Sequence, residues 1–62
     1  MLRWQQAEGR RHALEGCAPI EGGVFVALCG NMVTVQRQDI PELGGHWLDP
    51  TCLPCESAWR AK

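Results

Sequence analysis

The clearest hydrophobic pattern in the chain lies in its middle third. "VFVAL", Val24 to Leu28, is short, β-branched and aromatic, which marks a strand. "VTVQ", Val33 to Gln36, alternates strictly, with Val33 and Val35 on one face and Thr34 and Gln36 on the other. The residues between include Cys29-Gly30-Asn31, and Gly and Asn tolerate the positive φ of a tight turn, so the two runs predict a hairpin. Upstream, "RRHAL" alternates weakly. As a strand it places His12 and Leu14 on one face and Arg11 and Ala13 on the other. "EGCAPIEGG" between these elements is a turn-rich loop.

After the hairpin the alternation stops. "RQDIPELGGHWLDP" carries two glycines and two prolines and predicts a long loop, a feature that in compact domains often belongs to a site. "TCLPCESAWRAK" then predicts one short helix. Thr51 or Cys52 caps it, Pro54 fits its first turn, Glu56 suits its positive end, and Arg60 and Lys62 suit its negative end. Residues 1–9 show no pattern and are expected to be a flexible tail with Trp4 as its one anchor, leaving residues 10–62 as a single domain. The expected fold class is a small α+β zinc-stabilised domain. It has a two- or three-stranded antiparallel sheet and a short C-terminal helix carrying a C-x-x-C, in the manner of a treble clef.

Composition explains why a metal enters the picture. A chain of 62 residues with seven Gly and four Pro builds only a marginal core, and such domains are commonly held by disulfides, a metal or a partner. Four cysteines are available. The first residues, "MLRWQQAEGRRHAL", contain no apolar run of signal-peptide type, and nothing reaches transmembrane length. That favours a cytoplasmic setting, where thiols stay reduced. The net charge of −1 lacks the basic excess expected of a phosphate-neutralising surface.

The candidate chemistry centres on Cys52 and Cys55. With one at the helix cap and the other in the first turn, their sulfurs converge where backbone N–H groups and the helix dipole favour thiolates. A closed tetrahedral zinc site needs two more ligands. Cys29, ahead of Gly30 in a strand–turn–strand setting, is the best third. It resembles half of a zinc knuckle, although Val26 stands where the usual first Cys of such a turn would be. The fourth ligand is open among His12, Cys17 and His46. His12 is favoured because a strand is the most rigid of the three platforms. Cys17 reads otherwise as a small buried hydrophobe, and His46 as a hydrogen-bonded surface group. A thioredoxin-type redox role for the C-x-x-C needs a larger βαβ scaffold, and the uneven cysteine spacing disfavours an iron–sulfur cluster.

The tryptophans complete the picture. Trp59, one turn beyond Cys55, is expected in the core; Trp47 is either core or an exposed anchor; Trp4 is expected to contact a partner. Arg10, Arg11 and Arg37 form a basic patch if the first and third strands are adjacent, but a solvated strand edge is the simpler expectation.

Taken together, "RHAL", "ALCGNMVTV" and "HWLDPTCLPCESAWR" resemble a family of small actinobacterial zinc-finger proteins with a His–Cys–Cys–Cys pattern, over residues 11–60. The resemblance implies His12, Cys29, Cys52 and Cys55 as ligands of a zinc ion, with Cys17 and His46 outside the site, in a bacterial cytosol. Four protein ligands leave no open metal position, and no catalytic constellation stands out, so a non-enzyme is expected. The expected role is a protein-interaction or regulatory module whose partner is another protein, with no membrane involvement. The alternative is a nucleic-acid-binding zinc finger in transcription regulation, using Arg10, Arg11, Arg37, Arg60 and Lys62 on phosphates. A third option is a zinc- or redox-responsive switch acting through Cys52 and Cys55.

Overall fold

The computed structural model describes residues 1–62. Its elements in chain order are strands β1 (Leu2–Ala7), β2 (Arg10–Glu15), β3 (Val24–Val26) and β4 (Met32–Thr34), two single 3₁₀ turns at Arg37–Asp39 and Pro41–Leu43, and helix α1 (Leu53–Arg60). The strands form two separate antiparallel hairpins, β1–β2 and β3–β4, and not one two- or three-stranded sheet. The small α+β class with a C-terminal helix carrying the C-x-x-C is as expected.

The first hairpin corrects the expectation of a flexible tail over residues 1–9. β1 pairs with β2 along its whole length, from Leu2 opposite Glu15 to Ala7 opposite Arg10. Glu8 and Gly9 close it with φ of 52° and 84°. Positive φ at both positions is the turn geometry that matches strand twist, and Gly9 carries it without strain. Glu8 tolerates it while its carboxylate accepts the Thr34 N–H at 2.9 Å, tying one hairpin to the edge of the other.

β1 lacks an alternating apolar pattern because its inward residues are polar or small. Gln6 and Ala7 are both fully buried. Gln6 Oε1 accepts the Asp49 N–H at 2.9 Å, while its Nε2 donates to the His46 carbonyl. The side chain thereby pins the long loop to the strand. Asp39 is buried too, its carboxylate accepting the Gln36 N–H at 2.8 Å to close the first 3₁₀ turn. Replacing Gln6 by Leu leaves those loop groups without partners, and we expect a loss of about 2–4 kcal/mol in denaturant unfolding of the metal-loaded protein. A loss under about 1 kcal/mol would show that the loop holds without the pin.

Both faces of the first hairpin are covered. His12 and Leu14 are buried on one face and Ala13 on the other. The second hairpin turns Phe25 and Val33 inward, and Ala27 and Val35 continue the inward set. Trp4 is not a free partner contact. It stacks on Trp59 of α1, with ring centroids 5.2 Å apart and planes 10° from parallel. Trp59 packs against the core as expected, whereas Trp47 is 40% exposed.

The basic patch does not assemble as a free surface. Arg11 donates through Nη2 to Thr51 Oγ1 at 3.0 Å, and Arg37 through Nε to the Leu43 carbonyl at 3.3 Å.

Candidate metal centre

Strand β2 is the platform on which the site is built. The Arg11 N–H donates to the Pro50 carbonyl, and the Cys52 N–H donates back to the Arg11 carbonyl, each at 2.9 Å. Thr51 thus runs parallel beside Arg11, and Cys52 is delivered next to His12. Two residues along β2, the Ala13 carbonyl accepts the Leu28 N–H at 2.8 Å, which sets Cys29 on the same side. His12 lies between these two clamps. Its rotamer is confined because the ring is buried.

Cys29 sits on a five-residue turn closed by Ala27 N–H to the Asn31 carbonyl and Gly30 N–H to the Ala27 carbonyl, both 2.8 Å. Gly30 has φ of 94°, a conformation that a Cβ would strain. The turn aims Asn31 at the sulfur: Asn31 Nδ2 lies 3.5 Å from Cys29 Sγ. The knuckle-like geometry is present although Val26 replaces a first cysteine and points outward, 61% exposed. The contribution of the Asn31 side chain was not legible in advance. Its only signal is that it stands two residues after a cysteine in a tight turn.

Cys52 is the N-cap of α1 and Cys55 is its third residue, with Pro54 between them in the first turn. The Glu56 N–H donates to the Cys52 carbonyl at 3.0 Å, fixing the start of the helix. The Cys52 side chain makes no capping hydrogen bond to its own helix.

These platforms bring four donor atoms together. His12, Cys29, Cys52 and Cys55 place one potential ligand atom each within 4.8 Å of all the others. His12 Nδ1 is 3.8 Å from Cys29 Sγ and 3.7 Å from Cys55 Sγ. Tetrahedral zinc with ordinary Zn–S and Zn–N bonds sets its donors about 3.5–3.8 Å apart. The residues therefore fit such an ion in number, chemistry and spacing. Cys17 and His46 are not in the cluster. Cys17 lies exposed on its loop rather than in the core, and His46 Nε2 is 3.1 Å from Asp49 Oδ1 at a half-exposed position.

The electrostatics of the cluster suit metal binding. Burial lowers the His12 pKa, opposed by Glu8 and reinforced by Arg10, so the imidazole is neutral at pH 7. Burial also pushes the Cys55 thiol up to about 11. Burial opposes ionisation at Cys29 as well, but hydrogen bonds from the Asn31 N–H and from the Cys55 and Cys52 thiols outweigh it, and this thiol lies below its ordinary value. Metal uptake near neutral pH must therefore displace the Cys55 proton, whereas His12 has none to lose. The sign follows: zinc affinity rises with pH through the neutral range and falls in acid, where protons compete for sulfur and then for the imidazole. Calorimetry in buffers of different ionisation enthalpy is expected to show net proton release. A buffer-independent enthalpy would contradict it.

A cluster of one histidine and three cysteines held between two hairpins and a short helix defines a small zinc-binding domain. The chain belongs to the zinc-finger family named for its His–Cys–Cys–Cys ligand set, whose model matches residues 2–62. It is also similar to the crystal structure of an uncharacterized protein from Saccharomonospora viridis, with 37% identity and a TM-score of 0.78. That similarity covers 97% of this chain and 57% of the other, so this chain spans little more than half the length of that relative. No curated protein shows significant similarity to it. The family match begins at residue 2 and so takes in β1, consistent with a strand there and not a tail.

Proposed function

We propose that His12, Cys29, Cys52 and Cys55 are the ligands of one structural zinc ion, and that the folded domain is a non-catalytic protein-interaction or regulatory module. The zinc supplies a fixed tetrahedral link. Four protein donors leave it no position for water or substrate, which separates structural from catalytic sites. The reduced thiols this requires suit a cytoplasmic setting. No helix of the chain is long and apolar enough to cross a membrane.

The interaction role rests on the outer face of the β3–β4 hairpin. Val24, Val26 and Met32 lie on the side opposite Phe25 and Val33 and are 51%, 61% and 70% exposed. Adjacent exposed apolar side chains on one sheet face are a feature of contact surfaces. Near-neutral charge and the intramolecular bonds of Arg11 and Arg37 weigh against the nucleic-acid alternative.

The test is a comparison of captures from the native host, using the wild type and a Val26→Lys, Met32→Lys variant as baits. The variant is expected to keep its zinc and its circular dichroism while losing a protein that the wild type retains. Equal capture by both would remove the hairpin face as the contact. Salt-sensitive DNA binding by the wild type would favour the alternative.

A further inference from the structure

We propose that the donor cluster is a redox latch entered through Cys29, in which a hydroperoxide replaces the metal link with a disulfide link. The inference rests on the zinc reading above. It starts from an asymmetry among the three sulfur ligands. Cys52 and Cys55 are buried, at 7% and 0% exposure, whereas Cys29 is only partly buried. It sits on the surface turn Ala27–Asn31, between residues that are themselves partly or fully exposed: Leu28, Gly30 and Asn31. A small oxidant reaches this sulfur before the other two.

The second observation is proximity. The sulfurs of Cys29, Cys52 and Cys55 all lie within 4.8 Å of one another, so a modest closing movement brings a pair to disulfide distance. The third is connectivity. Val26 stands where a knuckle's first cysteine would be, so the β3–β4 hairpin is tied to the centre by Cys29 alone. Oxidation at any other pair would leave the hairpin's single tie untouched. Oxidation at Cys29 converts it.

The chemistry balances as follows. The Cys29 sulfur attacks one peroxide oxygen, the O–O bond breaks, and the departing hydroxide takes a proton to leave as water. Cys29 is then a sulfenic acid. The sulfur of Cys52 or Cys55 attacks the Cys29 sulfur, the S–O bond breaks, and a second water leaves after protonation. Two thiolates have lost two electrons, and one hydroperoxide has been reduced. Only one cysteine and His12 then remain as donors, and zinc is released. The new disulfide still joins the hairpin to the start of α1. The oxidised domain therefore keeps a cross-link in the same place while its charge and metal content change.

The experiment uses zinc-loaded protein alongside a Cys17→Ser variant, which removes the exposed thiol outside the cluster. Zinc is first quantified by elemental analysis. Hydrogen peroxide is then added, and zinc release, intact mass and the disulfide map are followed together. The expected result is zinc release in step with loss of two hydrogens, a disulfide containing Cys29, and recovery of the metal-loaded form with a thiol reductant and zinc. Three results would overturn the proposal while leaving the zinc reading intact: zinc retained under excess peroxide, a Cys52–Cys55 disulfide with Cys29 unmodified, or release accompanied only by sulfinic or sulfonic acids. Protein that carries no zinc before peroxide is added overturns both.

Discussion

Chelating the metal is expected to unfold this protein. The buried hydrophobic set consists of Ala7, Ala13, Leu14, Phe25, Ala27, Val33, Val35, Cys52 and Cys55. Only Leu14 and Phe25 are large, and three members are alanines. Two of the nine are themselves metal-ligand candidates, so part of the core is the site. Structural zinc contributes about 10–16 kcal/mol of apparent binding energy in small zinc-finger domains near neutral pH. Net stability of a natural domain is about 5–15 kcal/mol, so removal of that link leaves little or nothing. The two hairpins and α1 share few other connections. They include the Leu28–Ala13 hydrogen bond, the Glu8–Thr34 contact and the Trp4–Trp59 stack. Under excess chelator with reductant present, far-ultraviolet circular dichroism should lose its folded form. Tryptophan emission should shift to the red as Trp4 and Trp59 separate. Adding zinc back should restore both signals. Unchanged spectra after verified metal removal would show that the core is sufficient alone.

The second large effect separates His12 from the other candidates. His12→Ala removes a buried donor on the rigid strand and leaves a space beside three sulfurs. We expect it to lose stoichiometric zinc on dialysis and to destabilise the fold by roughly 4 kcal/mol or more, the range associated with loss of a metal. Cys17→Ser changes an exposed loop residue outside the cluster, and His46→Ala removes only the contact with Asp49. Cys17→Ser is expected to stay within about 0.5 kcal/mol of the wild type, and both variants to keep their zinc. Elemental analysis of the three variants, purified in parallel under reducing conditions, gives a direct reading. Retained zinc in His12→Ala, or lost zinc in Cys17→Ser, would reassign the fourth ligand.

How much was legible in advance differs from element to element for physical reasons. The β3–β4 hairpin and α1 carry local signals. Alternating Val33 and Val35, the Gly30 turn, Pro54 in the first turn and Glu56 near the positive helix end all act within a few residues of where they stand. β1 escaped because its decisive residue is polar. Gln6 is buried by partners 40 and 43 positions away, and no local pattern announces such contacts. Trp4 was misplaced for the same reason, since its stacking partner lies at the other end of the chain.

The chain alone determined the donor types and two of the three platforms. The C-x-x-C converges because a cap and the first turn of a helix are adjacent by geometry, and a cysteine before glycine in a turn faces the local amides. It left the choice among His12, Cys17 and His46 open, because the relation of one strand to a turn and a helix is not encoded in spacing. Only the tertiary structure decided which side chains meet, through the backbone bonds of Arg11 to Pro50 and Cys52 and of Ala13 to Leu28. Those bonds unite segments that are remote in the chain, and their strength depends on a core that exists only once all of them have formed.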